Sequence, residues 1–303
     1  MKSHQRRATI IVFSLVTGLL TGCPASADES RQRESEHRFR NEHQTIVGTL
    51  TSPEKRGHDQ IVLMLHGFTG TRNELPVAGT VETFYGRTAA ALANAGISSF
   101  RIDFRGSGDS EGLWEDTTFR TQIADAVSTI DYLEKERILR DNQLILLGLS
   151  QGGLVATAVT AADRRVSKLI LWSPVANPVA TFSALLGREK IHAALRLDAD
   201  AAIELTTPWG KNFALKKGFF DGLYEVDPIA DIAAVTVPLL VIVGSRDDVV
   251  SPQPQMGALF TRYHPGEERL VILDANHIFN VFENSKRLDQ AIDHTIRFLQ
   301  PDD

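Results

Sequence analysis

The sequence predicts an α/β fold: a mostly parallel central sheet flanked by helices, with an inserted lid or cap. Three observations predict it. Apolar runs of strand length, among them IVLML (61–65), LILLGL (144–149) and VPLLVIVG (237–244), do not alternate with polar residues, as expected of strands covered on both faces. Segments with helical apolar spacing separate these runs. One stretch, 173 to about 235, is longer than a simple crossover requires and carries Phe182, Trp209, Phe213, Phe219, Phe220 and Tyr224. Long interruptions of a compact domain are commonly functional, so this stretch reads as a cap over one end of the sheet.

The elements follow in order. TIVGTLTSP (45–53) alternates and reads as a strand, and the polar turn PEKRGHDQ leads to IVLML, which ends at His66-Gly67. GRTAAALANAG (86–96) reads as a helix closed by Gly96, and ISSFRIDF (97–104) as the next strand. Ile123, Ala126, Val127, Ile130 and Leu133 give Thr118 to Arg137 a helical apolar face. LILLGL is then a strand, LVATAVTAA a helix, and VSKLILW, VPLLVIVG and RLVILD are strands; DQAIDHTIRFL is the last helix.

The N-terminal region reads differently. Lys2, Arg6 and Arg7 precede a short apolar run, Ala8 to Leu20, and then Leu20-Thr21-Gly22-Cys23. That run is shorter than the roughly 20 apolar residues a membrane-spanning helix needs, so it reads as an export signal. LTGC resembles the lipobox of bacterial lipoproteins. That resemblance implies that residues 1–22 are removed and that Cys23 is lipidated, anchoring an exported protein at the periplasmic or cell-surface side of a membrane. Residues 24–43 are polar and charged and are expected to form a flexible tether, with the catalytic domain running from Gln44 to residue 303.

Composition narrows the function. The chain carries 32 Lys+Arg against 38 Asp+Glu, a formal charge of -6, and losing Lys2, Arg6 and Arg7 leaves 29 against 38, or -9. An acidic chain with no basic block or basic-aromatic stripe does not suit nucleic acid or an anionic lipid surface, so lipid at Cys23 would be the membrane contact. There is no CxxC, no HExxH and no phosphate-binding glycine loop, and no cofactor or metal is expected.

The chemistry starts at Gly148-Leu149-Ser150-Gln151-Gly152. A serine flanked two residues away by glycines, after a buried strand and before an apolar helix, is held out at the carboxyl end of the strand as a nucleophile. A serine nucleophile needs a base, and the base needs an acid to orient it. His277 follows the strand RLVILD directly, on the same edge as Ser150, whereas His192 lies in the cap, His264 beside Pro265-Gly266 and His294 in the last helix. Asp247 and Asp248 both follow VPLLVIVG at that edge. The oxyanion of an acyl-transfer intermediate needs two backbone donors. These are expected from the N–H of Gln151, next to the nucleophile, and the N–H of Phe68 in His66-Gly67-Phe68-Thr69-Gly70. His66 is expected to be structural.

HGFTG, FRIDFRGSGDSEG (100–112), GLSQGG, GSRDDVVSP and ANHIF together resemble the α/β-hydrolase family over about residues 45–300. The nearest subgroup is the bacterial cinnamoyl or feruloyl esterases, which overlap with the serine aminopeptidase-like hydrolases. The resemblance implies Ser150 as nucleophile, His277 as base and Asp247 as acid, the last because it matches the family's GxxD spacing. It also implies a cap that shapes the acyl pocket, and Asp103 and Arg105 as scaffold residues. The expected reaction is hydrolysis of a small ester with a short, medium or hydroxycinnamoyl acyl group. An aminopeptidase-like amide hydrolase would keep the same triad and add a carboxylate for a free amine, for which Glu204, Asp221 and Glu225 are the cap's candidates. A thioesterase is disfavoured by the export signal. A non-catalytic binding protein on this scaffold would be expected to lack part of the machinery.

Overall fold

Strands that are apolar along their whole length can be covered on both faces, and the centre of this sheet is built from them. The computed structural model describes residues 32–54, 57, 59–139 and 142–300; the expected signal segment and Cys23 lie outside those residues. In chain order the elements are β1 (Gln32–Asn41), β2 (Gln44–Pro53), β3 (Gln60–Leu65), α1 (Phe84–Asn94), β4 (Ser98–Asp103), a 3-10 turn (Trp114–Asp116), α2 (Phe119–Lys135), β5 (Gln143–Leu149), α3 (Gln151–Ala162) and β6 (Val166–Trp172). Then follow α4 (Pro178–Leu186), α5 (Arg188–Ala194), β7 (Ala202–Thr206), β8 (Asn212–Lys216), α6 (Lys217–Glu225), α7 (Pro228–Ile232), β9 (Leu239–Gly244), α8 (Gln255–Tyr263), β10 (Glu268–Leu273) and α9 (Lys286–Leu299).

Eight strands form the sheet in the order β1-β2-β4-β3-β5-β6-β9-β10. β2 is antiparallel to both β1 and β4, and every pair from β4 to β10 is parallel. Alternate residues face opposite layers. Ile61, Leu63, Leu65, Leu144 and Leu146 join one buried cluster, while Val62, Met64, Ile145 and Leu147 join the other. Burying a side chain of this size stabilises the fold by roughly 1.5–3 kcal/mol, so the two layers give the sheet its rigidity. Parallel strands also bring all their carboxyl ends to one edge, where ligands bind in open α/β sheets.

The structure corrects the N-terminal boundary. Residues 32–41, read as tether, form β1, paired along its whole length with β2. The strand lacks an aliphatic face, and its cohesion comes from the backbone ladder, from Phe39 stacked on Tyr132 at 4.4 Å, and from the ion pairs Glu34–Arg101 and Glu36–Arg72. An edge strand rich in charge is also protected against pairing with other chains. The interruption after β6 does hold extra structure. Between β6 and β9 lie α4, α5, the antiparallel hairpin β7–β8, α6 and α7.

Candidate active site

The nucleophile candidate sits on a strained turn. Ser150 follows β5 and caps α3 with φ 55° and ψ -116°, a left-handed conformation costing of order 1–3 kcal/mol for a residue with a Cβ. The flanking glycines let the chain make that turn. A Cβ on Gly148 would lie 2.2 Å from the Gly152 carbonyl oxygen, and one on Gly152 would lie 2.1 Å from the Leu65 carbonyl oxygen. Gly152 therefore allows the start of α3 to close onto the end of β3, which draws the HGFTG loop beside Ser150. The Ser150 N–H donates to the Trp172 carbonyl at 2.9 Å, fixing the turn from β6.

His277 lies in the loop after β10 and Asp247 in the loop after β9. His277 Nδ1 donates to Asp247 Oδ2 at 2.7 Å, and both residues are buried. Asp247 Oδ1 accepts the N–H groups of Val249 and Val250, each at 2.9 Å, so the carboxylate is held on both oxygens. Asp248 is exposed and has no such contact with His277 among the described residues. The geometry thus pairs the histidine with Asp247. With Nδ1 carrying the proton, His277 Nε2 is left as the acceptor. Ser173, which the sequence reading missed, donates from Oγ to the His277 carbonyl at 2.9 Å and ties that loop to the end of β6.

Ser150 and His277 line one cavity of about 460 Å³, together with Phe68, Glu74, Thr181, Phe182, Leu185, Trp209, Ile278 and Phe282 among others. No hydrogen bond joins Ser150 Oγ to a described residue; such contacts commonly close only when substrate is bound. The cap supplies α4 through Thr181, Phe182 and Leu185, and the β7–β8 turn through Trp209. Neither the Phe68 N–H nor the Gln151 N–H donates to a described residue, so both remain for a ligand. Gln151 is pinned by its side chain, whose Nε2 donates to Gln122 Oε1 on α2 at 2.5 Å.

His66 stands behind this loop. Its Nδ1 donates to the Gly67 carbonyl at 2.9 Å and its Nε2 accepts the Phe104 N–H at 3.2 Å, which fixes a neutral tautomer. Burial lowers its pKa to about 4, although the Gly67 carbonyl and Asp103 pull the other way. Asp103 and Arg105 do not line the cavity. Asp103 accepts the N–H groups of Arg72 and Asp109, and Arg105 pairs with buried Asp125, so both bind the loops around β4 together.

The cap acids do not meet the substrate space. Glu204 is exposed, Asp221 pairs with Lys217 and Glu225 with Arg120. The carboxylates that line the cavity are Asp248 and Glu74, neither considered for this role in the sequence. Burial raises the pKa of Glu74 to about 7, with the Gly67 N–H, His277 and Lys211 acting against that rise. The side chain keeps some accessible surface because it faces the cavity, yet enough protein surrounds the carboxyl for desolvation to dominate.

Residues 62–291 match the profile of the alpha/beta hydrolase family. The chain belongs to that family. An Escherichia coli relative of this α/β hydrolase, an uncharacterized 31.7 kDa protein of the traX-finO intergenic region, is 25% identical over 270 residues, covering 79% of this chain and 90% of the relative. The acylamino-acid-releasing enzyme of Arabidopsis thaliana is 23% identical over 209 residues, 66% of this chain but 25% of that enzyme. Among solved structures, Est1E from Butyrivibrio proteoclasticus with ferulic acid bound superposes with a TM-score of 0.69 at 22% identity, covering 87% of this chain and 97% of Est1E. The Pyrococcus furiosus esterase Pf2001 gives 0.62 at 19% identity, with 89% and 93% covered. At these identities the structural likeness speaks for the α/β-hydrolase fold.

Proposed function

We propose that this α/β hydrolase is a serine carboxylesterase. The observation that carries the reading is the 2.7 Å Asp247–His277 hydrogen bond at the wall of a cavity that Ser150 also lines. Ser150 Oγ attacks the ester carbonyl while His277 Nε2 takes its proton, and Asp247 stabilises the imidazolium. The Phe68 and Gln151 N–H groups receive the oxyanion. The imidazolium then protonates the leaving alcohol, and water, deprotonated by His277, releases the acid from the acyl-enzyme.

The acyl group we propose is short, medium or hydroxycinnamoyl. Support comes from the apolar side chains of Phe182, Leu185, Trp209, Ile278 and Phe282 along the cavity, and from the likeness to Est1E, which was solved with ferulic acid. An amide-hydrolysing reading draws on the similarity to the acylamino-acid-releasing enzyme. We also propose export and lipidation at Cys23, on the strength of LTGC following a short apolar run. Incorporation of labelled palmitate, lost in Cys23→Ala, tests that part.

The catalytic reading is tested with p-nitrophenyl acetate, butyrate and octanoate, methyl ferulate and alanine anilide, each with Ser150→Ala beside the wild type. Ester turnover that vanishes in Ser150→Ala is expected. Preference for the anilide would move the protein to amide hydrolysis, and absence of turnover by folded protein would return it to a binding role.

A further inference from the structure

The mechanism above makes no use of Glu74, yet its carboxylate is built into the loop that carries Phe68. The loop HGFTGTRNE folds back on itself so that Glu74 Oε1 accepts the Gly67 N–H at 2.5 Å. Gly70 leaves the space this requires. A Cβ there would lie 2.5 Å from Oε1 and 2.7 Å from Oε2 of Glu74. Glu74 itself takes φ 58°, a conformation few residues with a Cβ adopt without a compensating contact. The nucleophile is adjacent. The point a Cβ on Gly67 would occupy lies 3.4 Å from Ser150 Cβ and 3.5 Å from Glu74 Oε1.

Gly67 is a residue whose backbone would otherwise turn freely. Its carbonyl accepts from the Gly70 N–H at 3.1 Å and from His66 Nδ1 at 2.9 Å. That carbonyl belongs to the same planar peptide as the Phe68 N–H, so its direction sets the direction of that N–H. Glu74 supplies the remaining anchor, on the amide side of Gly67.

We propose that Glu74 is a positioning residue for the oxyanion hole: by holding the Gly67 N–H it fixes the rotation of the peptide that presents the Phe68 N–H to the substrate oxygen. The proposal rests on the esterase reading of Ser150 and Phe68. A negative charge so near the reaction centre would oppose an oxyanion. Burial favours the protonated acid, whose other oxygen still accepts the Gly67 N–H and which places no charge there. The charged and titratable groups facing Glu74 are His277 from the loop after β10, Lys211 from the β7–β8 hairpin and Tyr85 from α1, with Asp248 on the same cavity wall.

The test measures kcat and KM for p-nitrophenyl butyrate from pH 6 to 9 in the wild-type chain, Ser150→Ala, Glu74→Ala, Glu74→Asp and Glu74→Gln. Losing a whole oxyanion donor costs about 10²–10³ in kcat, so a donor left in place but misaimed is expected to cost about 10–100-fold. Glu74→Ala should show that loss in kcat, with KM changed less than about threefold. Glu74→Asp, one methylene too short to hold the Gly67 N–H, should lose about tenfold in the same way, and it serves if the alanine variant does not fold. Glu74→Gln, which can accept the same N–H without charge, should restore most of kcat at pH 6 and gain several-fold relative to wild type by pH 9. Wild-type kcat in folded Glu74→Ala or Glu74→Asp would overturn the proposal while leaving the esterase reading intact, as would an effect on KM alone. Wild-type turnover equal to that of Ser150→Ala would overturn both.

Discussion

Lys211 Nζ, at the cap hairpin, donates a 2.9 Å hydrogen bond to the carbonyl oxygen of Thr69 in the loop after β3. The cap also holds that loop through the Phe68 ring, which packs against Phe182 at 5.1 Å and Phe213 at 5.4 Å. The cap therefore shapes the cavity and also holds the backbone proposed to bind the oxyanion. Lys211→Met removes one exposed hydrogen bond, which contributes about 1 kcal/mol. It should lower kcat/KM for p-nitrophenyl butyrate by roughly 3- to 10-fold with little change in melting temperature. A fall in melting temperature with unchanged kinetics would mean that the contact only secures the cap.

The two adjacent aspartates give a sharper contrast. Asp247 is buried with both oxygens occupied, one by His277 and one by the Val249 and Val250 N–H groups, whereas Asp248 is exposed. Asp247→Asn should reduce kcat by about 10³–10⁴, since the amide cannot hold the imidazole in its working tautomer. Asp248→Asn should stay within about threefold, as expected of an exposed side chain that does not orient the base. Parallel kinetics on the two variants decide the acid, and the reverse pattern would assign it to Asp248.

The turn at Ser150 makes a prediction about stability. A Cβ on Gly152 would meet two backbone oxygens, those of Leu65 at 2.1 Å and His66 at 2.6 Å, neither of which can swing away. Gly152→Ala should destabilise the fold by several kcal/mol, about 3 or more, or prevent its recovery as soluble protein. Gly79 is the control: it has φ 77° but nothing within 4 Å of an added Cβ. Gly79→Ala should cost about 1–2 kcal/mol through backbone conformation alone. Denaturation midpoints of the two variants separate crowding from strain.

These comparisons also show what could be read from the chain. Ser150, Asp247 and His277 each follow a parallel strand, buried in β5 and β9 and partly exposed in the edge strand β10, so the apolar runs that mark these strands also mark where the candidate catalytic side chains emerge. Strand β1 was missed because its stability lies in a backbone ladder and charged pairs, which leave no apolar period. Glu74 was missed for a related reason. It stands in a polar loop, and its burial arises only when that loop folds over Gly70 and against α1. Cap residues such as Phe182 and Trp209 had the right composition, but which of them face the cavity depends on packing that no local pattern encodes.

His66 and Glu74, two titratable groups of that loop with shifted pKa values, act on the pH dependence of stability with opposite sign. His66 has its pKa lowered from 6.5 to about 4, so its contribution is present above pH 6.5 and is lost as the pH falls through 4, when the unfolded chain takes up the proton first. Glu74 has its pKa raised from 4.5 to about 7, so its contribution is present below pH 4.5 and is lost as the pH rises through 7, where the folded chain must hold a buried carboxylate. Between pH 4.5 and 6.5 the two slopes oppose each other, and the pair flattens the stability curve across the mildly acidic range. Glu74→Gln removes one slope and keeps the hydrogen bond to the Gly67 N–H. The variant should be more stable than wild type at pH 8, by roughly 2 kcal/mol after allowing for the solvent that reaches the cavity wall. The difference should shrink steadily towards pH 4.5. Urea midpoints of both proteins across that range test the idea, and a difference that does not change with pH would show that Glu74 carries no buried charge.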